Sequence, residues 1–236
     1  MCGDVSARRK YESIRRKEQA AQTRRDIMAA AGALFRERGY GQASMHDIAA
    51  DAGVVVETIY RAFGSKAGLF RAVIEAALAG GATRADVPVE ERPAIRAVIE
   101  EQDPRRQLEL YAATQPGIHR RAGPLLRALR DAAALDRDLG NLWNEMEAWR
   151  LTGQGKMAGL LAERGALGEG LSVEDARDLI WTLSSLAVYD HLVIERGWSS
   201  DKYRDWLARM LITALLPDSF RGSLSAELGD VGADDG

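Results

Sequence analysis

The chain has 236 residues, 46% hydrophobic and 28% charged, enough to bury a full core in one large or two modest domains. No stretch approaches the ~20 apolar residues of a membrane helix, and no apolar segment follows the basic N-terminus, so we expect neither a membrane span nor a secretory signal.

The net charge of −3 is unevenly distributed along the chain. Residues 1–70 hold 12 Lys and Arg against 8 Asp and Glu, and the remaining residues hold 20 Lys and Arg against 27 Asp and Glu. The N-terminal part is therefore basic, which favours contact with a polyanion. Cys2 is the single cysteine and cannot form an internal disulfide, which is typical of a cytoplasmic protein.

Residues 1–18 are polar, lack hydrophobic periodicity and carry two basic clusters. The clusters are Arg8, Arg9, Lys10 and Arg15, Arg16, Lys17. The composition predicts a disordered basic arm. Such an arm either contacts the phosphates of a nucleic acid or only keeps the chain in solution, and the sequence leaves both readings open.

The first predicted helix covers residues 19–38. Its apolar stripe has helical spacing and consists of Ile27, Ala31, Leu34 and Phe35, and Gly39 should end the helix. Thr23 and Arg24 lie near its start, where side chains and helix dipole together could meet a phosphate.

Two short amphipathic helices are predicted between Ser44 and Leu69. The apolar positions with helical spacing are Ile48, Ala49, Ala52, Val54, Ile59 and Phe63. Ser44 is a candidate N-cap, and Gly53 can adopt the left-handed backbone that a tight turn between helices requires. The second helix, residues 55–63, is too short to be stable alone. It must therefore pack on the first and leave one face free, a face that carries Val56, Glu57, Tyr60 and Arg61.

This segment resembles the N-terminal domain of the tetracycline-repressor (TetR) family of bacterial transcription regulators. The matching pieces are Ala33-Leu34-Phe35 with Gly39-Tyr40, Asp47-Ile48-Ala49, Ala52-Gly53-Val54, Thr58-Ile59-Tyr60, and Phe63-Gly64-Ser65-Lys66 with Leu69. The family commonly has Ser where this chain has Val55, so the usual hydroxyl cap of the second helix is missing. The resemblance implies an all-α protein with an N-terminal three-helix helix-turn-helix DNA-binding domain and a C-terminal helical ligand-binding and dimerisation domain.

A homodimer of such a fold would present two recognition helices to successive major grooves of a pseudo-palindromic operator. We assign base contacts to Val55, Val56, Glu57 and Arg61, and phosphate contacts to Ser44, Thr58, Tyr60 and Lys66, with His46 also on the DNA-binding surface. Arg61 could hold a guanine edge, Glu57 could accept from cytosine, and the valines could meet thymine methyl groups. Tyr60 has a second reading, as an aromatic side chain packed in the core beneath the helix.

The remainder of the chain is predicted to be helical. A helix over residues 66–79 is followed by breaks at Gly80-Gly81 and Val87-Pro88. The later helices are expected at residues 92–115, 116–133 with a disturbance at Pro124, 137–164, 172–196 and 199–216, with caps at Ser172 and Ser199. The predicted domains are therefore residues 19–66 for DNA binding and 67–217 for regulation and dimerisation, followed by a disordered acidic tail over 218–236.

The helices at 172–196 and 199–216 are apolar over most of their circumference. The first carries Leu179, Ile180, Trp181, Leu183, Leu186, Ala187, Val188, Tyr189, Leu192, Val193 and Ile194, and the second carries Tyr203, Trp206, Leu207, Met210, Leu211, Ala214 and Leu215. One core does not require so much apolar surface, which indicates a homodimer through this pair of helices. The alternative is that both are central core helices.

A small-molecule effector is implied by the family resemblance. An apolar stripe between Leu139 and Leu161 could line its pocket, with Tyr111 and His119 as polar contacts. The predicted ligand-binding residues are Tyr111, His119, Leu142, Trp143, Met146 and Trp149. Such a stripe is also typical of an ordinary core. Any coupling to DNA is expected to run through the helix after Lys66.

Enzymatic readings have little support in the sequence. His46, His119 and His191 lack metal-ligand spacing with one another or with Cys2, and the run Gly153-Gln154-Gly155-Lys156 does not match a phosphate-binding loop. We therefore expect no metal, no cofactor and no catalysis. The predicted function is a DNA-binding regulator, a repressor by analogy with the family, with double-stranded DNA, a second copy and a small molecule as partners. The alternative is an all-helical small-molecule-binding protein or enzyme with a vestigial helix-turn-helix.

Overall fold

The computed structural model describes residues 3–221, with side-chain positions from residue 15 to residue 220. Every regular element within that range is a helix, as predicted for the all-α class. The α-helices are α1 (Gly3–Gln42), α2 (Met45–Asp51), α3 (Val56–Phe63), α4 (Lys66–Ala79), α5 (Ala82–Ala85), α6 (Pro93–Glu100), α7 (Pro104–Ala133), α8 (Arg137–Glu163), α9 (Val173–Leu183), α10 (Leu186–Tyr189), α11 (Ser200–Leu215) and α12 (Asp218–Arg221). A 3-10 turn covers Val89–Glu91 and a π-helix covers Asp190–Glu195. None of these helices is both long and apolar enough to cross a membrane.

The described chain divides into two compact units. The first comprises the residues up to Asp86 together with Arg121–Asn144, and the second comprises Val87–Arg120 together with the residues from Glu145 onward. Both α7 and α8 contribute residues to each unit. The predicted domain limits at residues 66 and 217 stay predictions.

The core of the first unit forms around α1. The predicted stripe is confirmed, because Ile27, Ala31, Leu34 and Phe35 are all at most 3% exposed. The Phe35 ring lies 4.6 Å from the Phe70 ring of α4, centroid to centroid, so α1 and α4 pack together. Gly39 has a φ of 73° and interrupts the helical backbone where the sequence predicted the helix to end.

The helix α1 begins earlier than the sequence indicated. The backbone is helical from Gly3, so the predicted disorder of the 1–18 arm is wrong from that residue on, and residues 1 and 2 lie outside the described residues. The segment contains no proline and is rich in Arg, Lys and Glu, which have high helix propensity. Extending an existing helix also costs less than starting one, so polarity alone did not exclude a helix here.

The break between α6 and α7 lies earlier in the chain than the sequence predicted. Residues 92–115 were expected to form one helix and 116–133 another, but the chain breaks at residues 101–103 and α7 then runs unbroken through Pro116 and Pro124. The Asp103 carboxylate accepts the backbone N–H groups of Arg105 (2.9 Å) and Arg106 (3.4 Å). Aspartate followed by Pro104 is a helix-start signal, and it outweighed the two later prolines.

The predicted helix at 172–196 is also interrupted. It is divided into α9, α10 and the π-helix, with the break at Ser184-Ser185. The Ser185 hydroxyl accepts from the backbone N–H of Val188, and the Ser184 hydroxyl donates to the carbonyl of Ile180 at 2.7 Å. Two adjacent serines thus offer the backbone local hydrogen bonds that compete with a continuous helix.

The remaining helices agree with the sequence. The helices α4, α8 and α11 start and end within about a residue of the expected limits, and Ser65, Ser172 and Ser199 each accept a backbone N–H as N-caps. Residues 218–221 form α12, so this part of the predicted tail is helical, and residues 222–236 lie outside the described residues.

Candidate functional site

The turn between α2 and α3 has the geometry that the sequence predicted. Ser44 caps α2, since its hydroxyl accepts the backbone N–H of Asp47 at 3.0 Å. Gly53 has a φ of +65°, the left-handed conformation that glycine adopts without strain. The backbone N–H of Val54 donates to the carbonyl of Ala49 at 3.0 Å and closes the turn. A helix-turn-helix is therefore formed by α2 and α3.

The short helix α3 has one buried face and one exposed face. Ile59 is its only fully buried side chain. Along the helix Tyr60 is 48% exposed, and Glu57 and Arg61 are exposed as well, while Val55, the residue just before α3, is 64% exposed. The reading of Tyr60 as a core aromatic is therefore wrong. Val56 and Thr58 are half-buried at the edge of this surface.

The N-terminus of α3 lacks a side-chain cap, as the valine at position 55 predicted. Val55 makes no capping hydrogen bond with its side chain, and only its carbonyl accepts, from the backbone N–H of Thr58 at 3.0 Å. The first N–H groups of a helix carry partial positive charge and can meet an anion such as a phosphate. The start of α3 is thus suited to the backbone of a nucleic acid.

The predicted phosphate-contacting side chains are held by local interactions. Lys66 places its ammonium 4.3 Å from the centroid of the Tyr40 ring, and burial lowers the pKa of this lysine. Arg61 donates to the Thr58 hydroxyl at 3.5 Å. His46 is exposed on α2, and the half-buried Ser44 can still donate its hydroxyl proton. Ser44, His46, Thr58, Tyr60, Arg61 and Lys66 all lie in the first unit.

The predicted ligand-binding residues are divided between the two units. Leu142 and Trp143 belong to the first unit, whereas Tyr111, His119, Met146 and Trp149 belong to the second. Trp149 is 66% exposed on α8 and does not face an interior. Only Tyr111 and His119 meet around a shared group, the buried Ser184.

A polar–aromatic cluster surrounds that serine in the second unit. It consists of Tyr111, His119, Gln154, Ser184, Tyr189 and Tyr203, all at most 8% exposed. The Tyr111 hydroxyl lies 3.0 Å from Gln154 Oε1 and 3.1 Å from Ser184 Oγ. His119 Nε2 lies 3.2 Å from the carbonyl oxygen of Ser184. The cluster thus joins α7, α8 and the break after α9.

Aromatic rings extend this cluster towards α11. The imidazole of His119 stacks on Tyr189 with centroids 4.7 Å apart, and Tyr189 meets Tyr203 edge to face at 5.1 Å. Burial raises the pKa of Tyr111 and of Tyr203, so both hydroxyls stay protonated and can donate. The Tyr203 hydroxyl is fully buried and has no hydrogen-bond partner among the described residues. A buried hydroxyl without a partner costs about 1–3 kcal/mol, so it marks a place where an acceptor would be favoured.

Four members of the cluster were not proposed as ligand contacts from the sequence. Tyr189 and Tyr203 were assigned to the dimer helices, and Gln154 was considered only as part of a weak glycine-rich match. The sequence contains features that could have indicated two of them as buried polar residues. Gln154 is a polar residue on the same stripe as Met146 and Met157, and Ser184 interrupts an apolar helix.

Comparisons with known proteins agree with this architecture. Residues 27–73 match the family model of bacterial regulatory proteins of the tetR family. Among solved structures, NalD of Pseudomonas aeruginosa, the secondary repressor of the MexAB-OprM multidrug efflux pump, is 22% identical, with a TM-score of 0.64 over 84% of this chain and 98% of that one. FadR of Bacillus subtilis in complex with stearoyl-CoA is 20% identical, with a TM-score of 0.63 over 80% and 97% of the two chains. A candidate transcriptional regulator of Saccharomonospora viridis in complex with choline is 20% identical, with a TM-score of 0.63 over 83% and 98%. No curated protein matches the chain.

The helix-turn-helix and the family match define a DNA-binding transcriptional regulator. The family match covers the helix-turn-helix segment, residues 27–73, and the similarity to the solved structures extends the shared fold over most of the chain.

Proposed function

We propose that the chain binds a pseudo-palindromic operator as a homodimer, represses transcription there, and is released by a small-molecule effector. The observation that carries the proposal is the exposure of Val55 at the start of α3 and of Glu57, Tyr60 and Arg61 along it, while Ile59 is buried. A helix anchored on one side and free on the other can enter the major groove. The repressor NalD offers a precedent for repression by a protein of this fold.

We assign base recognition to side chains at the start of α3 and on its exposed surface. Arg61 would bind a guanine edge and Glu57 would accept from cytosine, while Val55 and Val56 would contact thymine methyl groups. Phosphates would be held by Ser44, Thr58, Tyr60 and Lys66, with His46 beside them on α2. Half-burial of Val56 and Thr58 restricts them to the edge of this surface.

Homodimer formation through residues 172–196 and 199–216 is supported by apolar side chains that one chain leaves half-buried. They include Leu179, Leu183, Val188, Leu192, Val193, Trp206 and Ala214, and Ile194 is 59% exposed. A second copy covering these side chains would remove them from water, at roughly 25 cal/mol per Å² of apolar surface. The dimer would also supply the second recognition helix that a palindrome requires.

The polar–aromatic cluster is our proposed effector site. Its titratable members are three tyrosines and His119, with no carboxylate or ammonium among them. Burial raises the pKa of Tyr111 and of Tyr203, so these two stay protonated. The nearby guanidinium of Arg150 is occupied, since it donates to the Trp181 carbonyl and to the Glu147 carboxylate. An uncharged ligand with an acceptor oxygen for the Tyr203 hydroxyl therefore suits the cluster better than a charged one, whose desolvation nothing would offset.

Operator binding is tested by fluorescence anisotropy with DNA taken from beside the chain's own gene. Arg61→Ala should weaken binding by about 1–3 kcal/mol and relax one base position in each half-site. Arg96→Ala is the matched control, because it removes the same charge from an exposed position on α6. If the wild type shows no preference over bulk genomic DNA, the proposal fails and the alternative of a small-molecule-binding protein or enzyme with a vestigial helix-turn-helix gains support.

Effector binding is tested by a thermal-shift screen of uncharged and charged compounds, followed by operator release with each hit. Uncharged hits with an acceptor oxygen should stabilise the wild type, release it from DNA, and lose affinity for Tyr203→Phe. Hits confined to charged compounds, or equal affinity for Tyr203→Phe, would refute this site.

A further inference from the structure

A contact between α1 and the end of α3 carries a role that the sequence did not suggest. Arg24 Nη1 donates to the carbonyl oxygen of Ala62 at 2.8 Å, and the guanidinium carbon lies 4.1 Å from the centroid of the Phe63 ring. From its place near the start of the first helix, Arg24 was expected to be able to meet a phosphate. Its guanidinium instead faces the last turn of the recognition helix.

The chemistry of both contacts favours a guanidinium. The last carbonyls of a helix lack intrahelical partners and carry partial negative charge, so a cation that donates to Ala62 is favourable there. The planar guanidinium can stack on a ring and donate at its edge at the same time, whereas an ammonium is a point charge that cannot do both. The hydrogen bond and the ring contact fall on two consecutive residues at the end of α3 and restrain it together.

The rest of α3 provides few other restraints. Its start has no side-chain cap, and Ile59 is its only fully buried side chain. Besides Ile59, only half-buried side chains such as Val56 and Phe63 hold α3 against α2 and α4, so the ends of the helix are less restrained than its middle. Holding the C-terminal turn from α1 removes that freedom.

We propose that Arg24 is a positioning residue for operator recognition, which sets the orientation of α3 rather than binding a phosphate. This inference rests on the proposed function for its DNA readout. Arg24 fixes the angle at which Glu57, Tyr60 and Arg61 meet the groove, so its loss disturbs specific binding more than general attraction to DNA.

Three variants separate positioning from phosphate contact. Arg24→Gln removes the charge and the stacking, and Arg24→Lys keeps the charge alone. Arg25→Gln is the matched control, because it removes the same charge from the next residue, whose side chain bonds Gln22 within α1. Affinities for the operator and for a scrambled duplex are measured between 50 and 200 mM salt, a range in which phosphate contacts have large effects.

Positioning predicts that Arg24→Gln lowers operator affinity at least about tenfold, leaves scrambled-duplex affinity within about twofold, and is not rescued by Arg24→Lys. Arg25→Gln should change both affinities by less than about twofold. A uniform loss on both duplexes, with a salt slope lower by about 1 and rescue by Arg24→Lys, would make Arg24 a phosphate contact and overturn the proposal. An unchanged Arg24→Gln would also overturn it.

Amide hydrogen exchange of the free protein provides a readout that does not depend on DNA. Arg24→Gln should exchange faster at the amides of α3, with exchange in α4 unchanged. If the wild type binds no DNA selectively, the proposed function fails, and exchange in α3 still decides whether Arg24 holds this helix. Unchanged exchange in α3 would refute the positioning role whatever the DNA results.

Discussion

Replacing Ile59 by alanine should undock the recognition helix. Ile59 is 0% exposed and is the only fully buried side chain of α3. Truncating a buried isoleucine to alanine costs about 2–5 kcal/mol. Because an eight-residue helix is not stable alone, this loss falls on the packing of α3 against its neighbours. Even the lower figure, about 2 kcal/mol, raises the undocked fraction roughly 30-fold.

Urea denaturation at fixed protein concentration measures this loss, and operator binding measures its consequence. We expect a free energy of unfolding about 2–5 kcal/mol lower for Ile59→Ala and a weaker affinity for the operator. The matched variant is Tyr60→Ala, one residue away on the exposed face, which should change stability by no more than about 0.5 kcal/mol while still weakening DNA binding. If Ile59→Ala were as stable as the wild type, or if Tyr60→Ala were the more destabilised of the two, the two-faced description of α3 would be wrong.

Three further predictions concern caps and buried tyrosines. Val55→Ser restores a hydroxyl at the start of α3 and should slow amide exchange in that helix by an amount equivalent to about 1 kcal/mol; an unchanged exchange rate would show that the start of α3 is already satisfied. Tyr203→Phe removes a buried hydroxyl without a partner and should raise the free energy of unfolding in urea by about 1 kcal/mol, whereas Tyr111→Phe removes a bonded hydroxyl and should lower it; effects of the same sign would contradict this assignment. Burial raises the pKa of Tyr203, so above pH 10 the unfolded chain loses the tyrosine proton while the folded protein keeps it. The unfolded state then binds fewer protons, and the free energy of unfolding should fall with pH by up to about 1.4 kcal/mol per pH unit for this group. An equally steep fall in Tyr203→Phe would assign the effect to other residues.

The helix-turn-helix and the helix before it were predictable because the sequence features that specify them act locally. The stripe from Ile27 to Phe35, the cap at Ser44, the turn glycine at position 53 and the uncapped Val55 each act within a few residues of themselves. Spacing and turn chemistry therefore specify the elements without knowledge of distant contacts. The orientation of Arg24 was not accessible in this way, because its partner at Ala62 lies 38 residues further along the chain.

The polar–aromatic cluster of the second unit was harder to predict from the sequence, because the residues that form it are far apart along the chain. Tyr111, Gln154 and Ser184 are separated by 43 and 30 residues and meet only once α7, α8 and α9 have packed. The stripe on α8 suggested Trp149 as a lining residue, yet an apolar period does not say which side of a helix other elements cover. Pro116 and Pro124 led to a wrong prediction of the helix limits in α7. Tertiary packing tolerates both prolines inside this helix, whose start is specified by Asp103.

Selection from random-sequence duplex DNA tests the reading of α3 most directly. The wild type should enrich an inverted repeat whose half-sites are one helical turn, about 10–10.5 base pairs, or a whole multiple of it apart. Arg61→Ala should enrich the same repeat with one symmetric pair of positions relaxed. Enrichment of no sequence, or of a single unrepeated half-site, would contradict a dimer that reads DNA through this helix.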